Sequence, residues 1–103
     1  MSTTLHTINK SPFDRNSFGS CMRVISDGDA ILFIEDGVYA ATSGTTFSDA
    51  VKAATNSHTV FVLGPDLSAR GMKEDGIVEG VNVVDYDGFV DLVTEYDKTN
   101  SWL

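Results

Sequence analysis

Two short runs, one wholly apolar and one apolar after its first residue, constrain this chain more than anything else in it. Ala30 to Ile34 reads Ala-Ile-Leu-Phe-Ile, and Thr59 to Leu63 reads Thr-Val-Phe-Val-Leu. Each is too short for a buried helix, and neither alternates polar with apolar, so both suit strands covered on two faces. Thr3 to Ile8 and Val81 to Val84 read as two more strands. Helix-like segments separate them. Strands alternating with helices imply a parallel sheet with helices on both sides. The expected fold is a single three-layer α/β/α domain over residues 1–103, with a mostly parallel sheet of four to five strands, flavodoxin-like in the broad sense.

Ser11-Pro12-Phe13-Asp14 has the layout of a helix start, with Ser as N-cap and Pro in the first turn. That spacing predicts a helix from there to about Ile25, closed by Asp27-Gly28-Asp29. A short helix is expected through Val38-Tyr39-Ala40-Ala41, a break at Thr42–Thr46, and helical pattern again from Phe47 to Ala54. Asp66 to Arg70 suits one or two turns, with Gly71 as a stop. Asp85 can cap a last helix, in which Tyr86, Phe89, Val90, Val93 and Tyr96 fall at i, i+3, i+4 spacing.

Fifteen acidic residues against seven basic ones give a formal charge of −8. The basic residues are scattered, so the surface repels a phosphate backbone and direct nucleic-acid binding is not expected. No apolar run approaches the roughly 20 residues that span a bilayer, and Met1 to Lys10 lacks the layout of a secretory signal. A lone cysteine makes no internal disulfide. The expected compartment is the cytoplasm.

Ligands of open parallel sheets bind beyond the carboxyl ends of the strands. That edge offers Asn9, Glu35, Asp36, Asp66 and Asp85. A magnesium site of the phosphate-accepting kind needs acids after the first strand and a lysine after the last, and neither is in place. The preferred reading has Asp36, Asp66 and Asp85 capping the helices they precede. Ser43-Gly44-Thr45-Thr46 is too short for a phosphate loop, and no nucleophile elbow exists. His6 and His58 stand far apart without companion ligands and read as structural. No cofactor and no metal are expected.

Cys21 shares an apolar stripe with Phe18, Met22 and Ile25. If its helix begins near Pro12, nine residues at about 1.5 Å carry it back roughly 13 Å, level with Thr4 or Leu5. Mid-helix and without a facing cation, the thiol stays mostly protonated at neutral pH. The residues therefore favour a packed, structural cysteine. Gly19 is the feature against this reading, because a kink there would expose the thiol.

Leu5–Phe13, Gly28–Ala41, Val60–Met72, Val83–Val93 and Trp102-Leu103, in this order, resemble the DsrH/TusB family. The segment Asn16–Val24, which holds Cys21, is more similar to DsrH than to TusB. The resemblance implies a cytoplasmic heterohexamer holding two copies each of this chain, a DsrE/TusD-like subunit and a DsrF/TusC-like subunit. Such a complex relays persulfide sulfur to a DsrC/TusE-like carrier, in sulfur oxidation (ranked first here) or in tRNA 2-thiolation. In the family the cysteine most clearly needed lies on the DsrE/TusD subunit. This chain is thus expected to serve chiefly in assembly, with Tyr39, Trp102 and Leu103 as candidate partner contacts. The alternative makes Cys21 itself a persulfide carrier. A third reading, an acidic domain binding a small anion or metal, rests on fold analogy alone.

Overall fold

The computed structural model describes residues 3–103. Among them, five strands form one sheet: β1 (Thr4–Ile8), β2 (Ala30–Phe33), β3 (Thr59–Leu63), β4 (Asn82–Val84) and β5 (Lys98–Trp102). Every pairing is parallel and the order is β4-β3-β2-β1-β5. The helices are α1 (Ser17–Val24), α2 (Ser48–Ser57), α3 (Gly64–Ala69) and α4 (Tyr86–Glu95), with a 3₁₀ segment at Glu35–Ala41 and another at Glu74–Gly76.

Chirality decides which face each helix takes. Parallel strands are joined by right-handed crossovers. The steps β1 to β2 to β3 to β4 all move the same way across the sheet, so their helices share one face. The step β4 to β5 runs back across the whole sheet, so its helix must lie on the other. The packing follows this division. Phe18 and Cys21 of α1, Val51 and Ala54 of α2, and Leu67 of α3 form one core with Ile8, Ile31, Val60 and Val62. On the opposite face Leu92 of α4 packs with Leu5, Ala30 and Leu32, bordered by Phe61, Phe89 and Tyr96. The molecule has three layers, and the third is a single helix among the described residues.

Four departures from the sequence reading have local causes. The turn at Ser11 forms, with Asp14 and Arg15 N–H donating to the Ser11 carbonyl. Residues 13–16 are exposed, however, and no apolar face holds a helix there, so α1 starts only at Ser17. The segment Val38–Ala41 lies in a seven-residue 3₁₀ stretch that begins at Glu35. In α4, Phe89, Leu92 and Tyr96 face the sheet, whereas Tyr86, Val90 and Val93 are exposed. Finally, Lys98–Trp102 is a strand although it reads Lys-Thr-Asn-Ser-Trp. It is an edge strand with exposed residues up to Trp102, so no run of apolar residues marks it.

Gly37 lets the 3₁₀ segment sit directly on the end of β1. A Cβ at this position would collide with the Ile8 backbone carbonyl, and that carbonyl is held by the Ile34 N–H at 3.0 Å. Neither group can step aside without breaking the β1–β2 edge. Gly37→Ala is expected to destabilise the fold by about 2–3 kcal/mol, read as a lowered midpoint of urea unfolding with an unchanged slope. A variant as stable as the parent would show that the segment has room to shift.

Candidate functional site

A groove of about 820 Å³ opens at the carboxyl edge of the sheet. It lies where α3 leaves β3 toward one face and α4 leaves β4 toward the other. Diverging connections of this kind open a crevice at the strand ends. Its lining includes Gly64, Pro65, Ser68, Lys73, Asp85 and Gly88. Asp85 is already engaged as the N-cap of α4, its Oδ1 accepting from the Gly88 N–H at 2.8 Å.

Asp66 and Asp36 at this edge are also engaged, though not as caps. Asp66 Oδ2 accepts from the Glu35 backbone N–H at 2.6 Å. This holds the turn after β2, where Glu35 has a φ of 50°. Asp36 Oδ1 accepts from Arg70 Nε and Nη2 at 3.0 and 2.9 Å. Of the three expected helix caps, only Asp85 is one. Asn9 lies at the same edge, with its Oδ1 buried and unpaired among the described residues. Among those residues no group of three or more His, Cys, Asp or Glu is placed to hold a metal.

The most connected polar group is at the other end of the sheet. Asp29, buried just before β2, accepts from the Thr4 N–H on Oδ1 and from the Ser26 N–H on Oδ2. His6 Nε2 meets Oδ2 at 3.0 Å. The other ring nitrogen of His6, Nδ1, lies 3.0 Å from Trp102 Nε1. An indole N–H only donates, so Nδ1 is the acceptor. The imidazole proton therefore sits on Nε2 and points to Asp29. One buried chain of hydrogen bonds thus joins β5, β1 and the start of β2, while His58 Nδ1 donates to the Asp29 carbonyl at 3.2 Å. Burial by itself would raise the Asp29 pKa. The hydrogen bonds from His6, Ser26 and Thr4 outweigh it, and the carboxyl is held below its ordinary value.

Cys21 is wholly buried. Burial, and secondarily the charge of Asp29, push its thiol up to about 12. Its position along the sheet differs from the expectation because α1 starts later. Ser17 Oγ donates to the Leu103 carbonyl at 3.3 Å, one residue beyond the Trp102–Ile8 register pair. Four residues of helix at about 1.5 Å then bring Cys21 back about two strand residues, near the level of Thr7 rather than of Thr4 or Leu5. Gly19 lies within α1, where a Cβ would collide with the Asn16 side chain.

The remaining candidates are spread over the surface. Tyr39 is about one-third exposed on the 3₁₀ segment, and Leu103 is 82% exposed. Trp102 is half-buried, packs on the core that contains Cys21, and has its ring centroid 6.1 Å from that of His6. Cys21 and Trp102 therefore share a core, while Tyr39 sits on a separate segment. The sequence reading missed Asp29, the hub of the network. The available signal was His6 inside a strand expected to be covered on both faces, since a buried imidazole needs partners.

A family model described as "DsrH like protein" matches residues 10–99, most of the chain. The chain belongs to the DsrH family. It is 35% identical to Protein TusB of Pectobacterium parmentieri over 98 residues, covering 95% of this chain and 99% of that one. It is 33% identical to Protein TusB of Escherichia coli K12 over the same shares. Among solved structures, the ychN protein of E. coli superposes with a TM-score of 0.83 at 15% identity, over 98% of this chain and 99% of that one. MTH1491 of Methanobacterium thermoautotrophicum, a protein of unknown function, gives 0.72 at 18% identity, over 95% and 97%. These two likenesses concern the fold alone.

Two expected outcomes follow from the buried groups. Because the folded Asp29 pKa is depressed, its contribution to stability is fully present above the unfolded value near 3.9 and fades as pH falls through the folded value. Asp29→Asn should cost about 2–3 kcal/mol at pH 7, and the gap to the parent should narrow below about pH 4; a gap constant from pH 7 to pH 2 would remove the carboxylate from the account. For Cys21, iodoacetamide at pH 8 should label the native chain at least tenfold more slowly than the urea-unfolded chain. Equal rates would show an open thiol.

Proposed function

We propose that this chain is the TusB/DsrH-type subunit of a cytoplasmic sulfur-relay complex, contributing assembly rather than a reacting group. The single observation that carries this reading is the match to TusB proteins across 95% of the chain. Its partners are then a DsrE/TusD-like and a DsrF/TusC-like chain in a heterohexamer, which hands persulfide sulfur to a DsrC/TusE-like carrier. The named relatives move tRNA 2-thiolation ahead of sulfur oxidation. The DsrH-like segment around Cys21 is the observation on the side of sulfur oxidation.

The chemistry of Cys21 supports the assembly role. Sulfur relay requires a thiolate to attack a sulfane sulfur and an accessible path for the acceptor. A buried thiol raised to about 12 supplies neither in the isolated chain. The formal charge of −8 also argues against this chain as the contact for tRNA. Trp102 belongs to the assembly reading through its place on the exposed edge strand, Leu103 through its exposure just beyond that strand, and Tyr39 through its partial exposure.

The test is reconstitution with the DsrE/TusD-like and DsrF/TusC-like chains of the same organism, followed by a sulfane-sulfur donor and intact-mass analysis of each chain and of the carrier. Omission of this chain should abolish the assembled species. Cys21→Ser should leave both assembly and the 32-Da gain on the carrier within about twofold of wild type. A carrier that loses its added sulfur with Cys21→Ser, while assembly persists, would overturn the assembly-only role and make Cys21 a relay residue.

A further inference from the structure

The second face of the sheet is only half covered. Four inter-strand gaps of about 4.8 Å set the outer strands about 19 Å apart, while a helix is about 10 Å across. Among the described residues α4 alone lies on that face, and Ile34, Phe61 and Val84 beside it remain partly exposed. Parallel sheets occur almost only with both faces covered. The missing cover is an unfinished feature of the fold as it stands alone.

The helix itself carries a second apolar stripe. Tyr86, Val90 and Val93, at i, i+4 and i+7, are 60%, 63% and 42% exposed. At 100° per residue they lie about a quarter-turn around the helix from the sheet-facing residues Phe89, Leu92 and Tyr96. They therefore occupy a flank of α4. A helix apolar on more than one side is one that is covered on more than one side.

Charge limits what can cover it. Residues 85–97 hold Asp85, Asp87, Asp91, Glu95 and Asp97, and neither Lys nor Arg. Asp87, Asp91 and Glu95 are exposed along the side of α4 away from the sheet. A second copy docking about a two-fold axis would bring two such rows together, and like charges juxtaposed at an interface are costly. Nucleic acid and anionic lipid are opposed by the same row. A protein surface with Lys or Arg around an apolar centre meets both requirements.

We infer that the α4 side of the sheet, centred on Tyr86, Val90 and Val93, docks a different protein chain whose contact surface is apolar at its centre and basic at its rim. The inference rests on the assembly reading and names the surface that the assembly uses. It is tested by co-expression with the DsrE/TusD-like and DsrF/TusC-like chains and quantitative recovery of the complex. Val90→Ser with Val93→Ser should lower recovery at least tenfold, with the circular dichroism and melting midpoint of the isolated chain unchanged. Asp87→Lys with Asp91→Lys and Glu95→Lys, a set that leaves the apolar stripe intact, should lower it comparably. Full recovery of both variants overturns the surface while leaving the assembly reading in place. An isolated wild-type chain that dimerises, and is made monomeric by the serine pair, overturns the claim of a different partner. Failure of the wild-type chain to assemble with either subunit overturns the assembly reading itself.

Discussion

The handedness of one crossover governs this molecule. Three connections step in the same direction across the sheet and stack their helices on one face. The fourth returns from β4 to β5 and is obliged to use the other. The thick layer on the first face, the single helix on the second, and the groove between the diverging ends of β3 and β4 all follow from that reversal. The placement of β5 beside β1 follows too. An edge strand with polar residues, far in sequence from its neighbour, must be held by something beyond its backbone ladder.

That something is the Trp102–His6–Asp29 chain of hydrogen bonds. Trp102 closes the outer edge of the core and donates to His6, and His6 donates to a carboxylate that also receives two backbone N–H groups. A buried carboxylate is costly when unpaired and stabilising when both of its oxygens accept hydrogen bonds. Asp29 is in the second condition. Its charge is felt on both sides of the sheet: it helps to raise the Cys21 thiol on one face and the Tyr96 hydroxyl on the other, burial being the larger cause at each. The carboxylate that organises the amino end of the sheet thus adds to the burial that keeps Cys21 protonated.

How much of this the sequence discloses depends on how local the cause is. Ala30–Ile34 and Val60–Leu63 are legible as strands because cover on both faces of the sheet leaves an unbroken apolar run. Asp85 is legible as a cap because the donor it satisfies is three residues away. Asp36 and Asp66 have the same sequence signature but bond to Arg70 and to the Glu35 N–H, more than thirty residues away in chain. β5 is illegible for a similar reason, since its place depends on parallel pairing with a strand at the opposite end of the sequence. Asp29 escapes because its partners are spread over Thr4, His6 and Ser26. The apolar residues of α4 were all legible as apolar, but periodicity alone does not separate the stripe that meets the sheet from the stripe that does not.

The two faces divide the chain's roles. On the first, most of the large apolar side chains that the helices supply close a core, and Cys21 is one of those side chains. A thiol in that position packs as a small apolar group, and the absence of a facing cation leaves nothing to draw out its proton. On the second, the chain stops short of covering its own sheet and places Tyr86, Val90 and Val93 in solvent. Chemistry needs a reacting group that is both exposed and activated. Association needs apolar area that is exposed and a charge pattern that rejects the wrong partner. The described residues supply the second set of requirements on α4 and do not supply the first at Cys21. For this member of the DsrH family, those are the features on which the proposed assembly role rests.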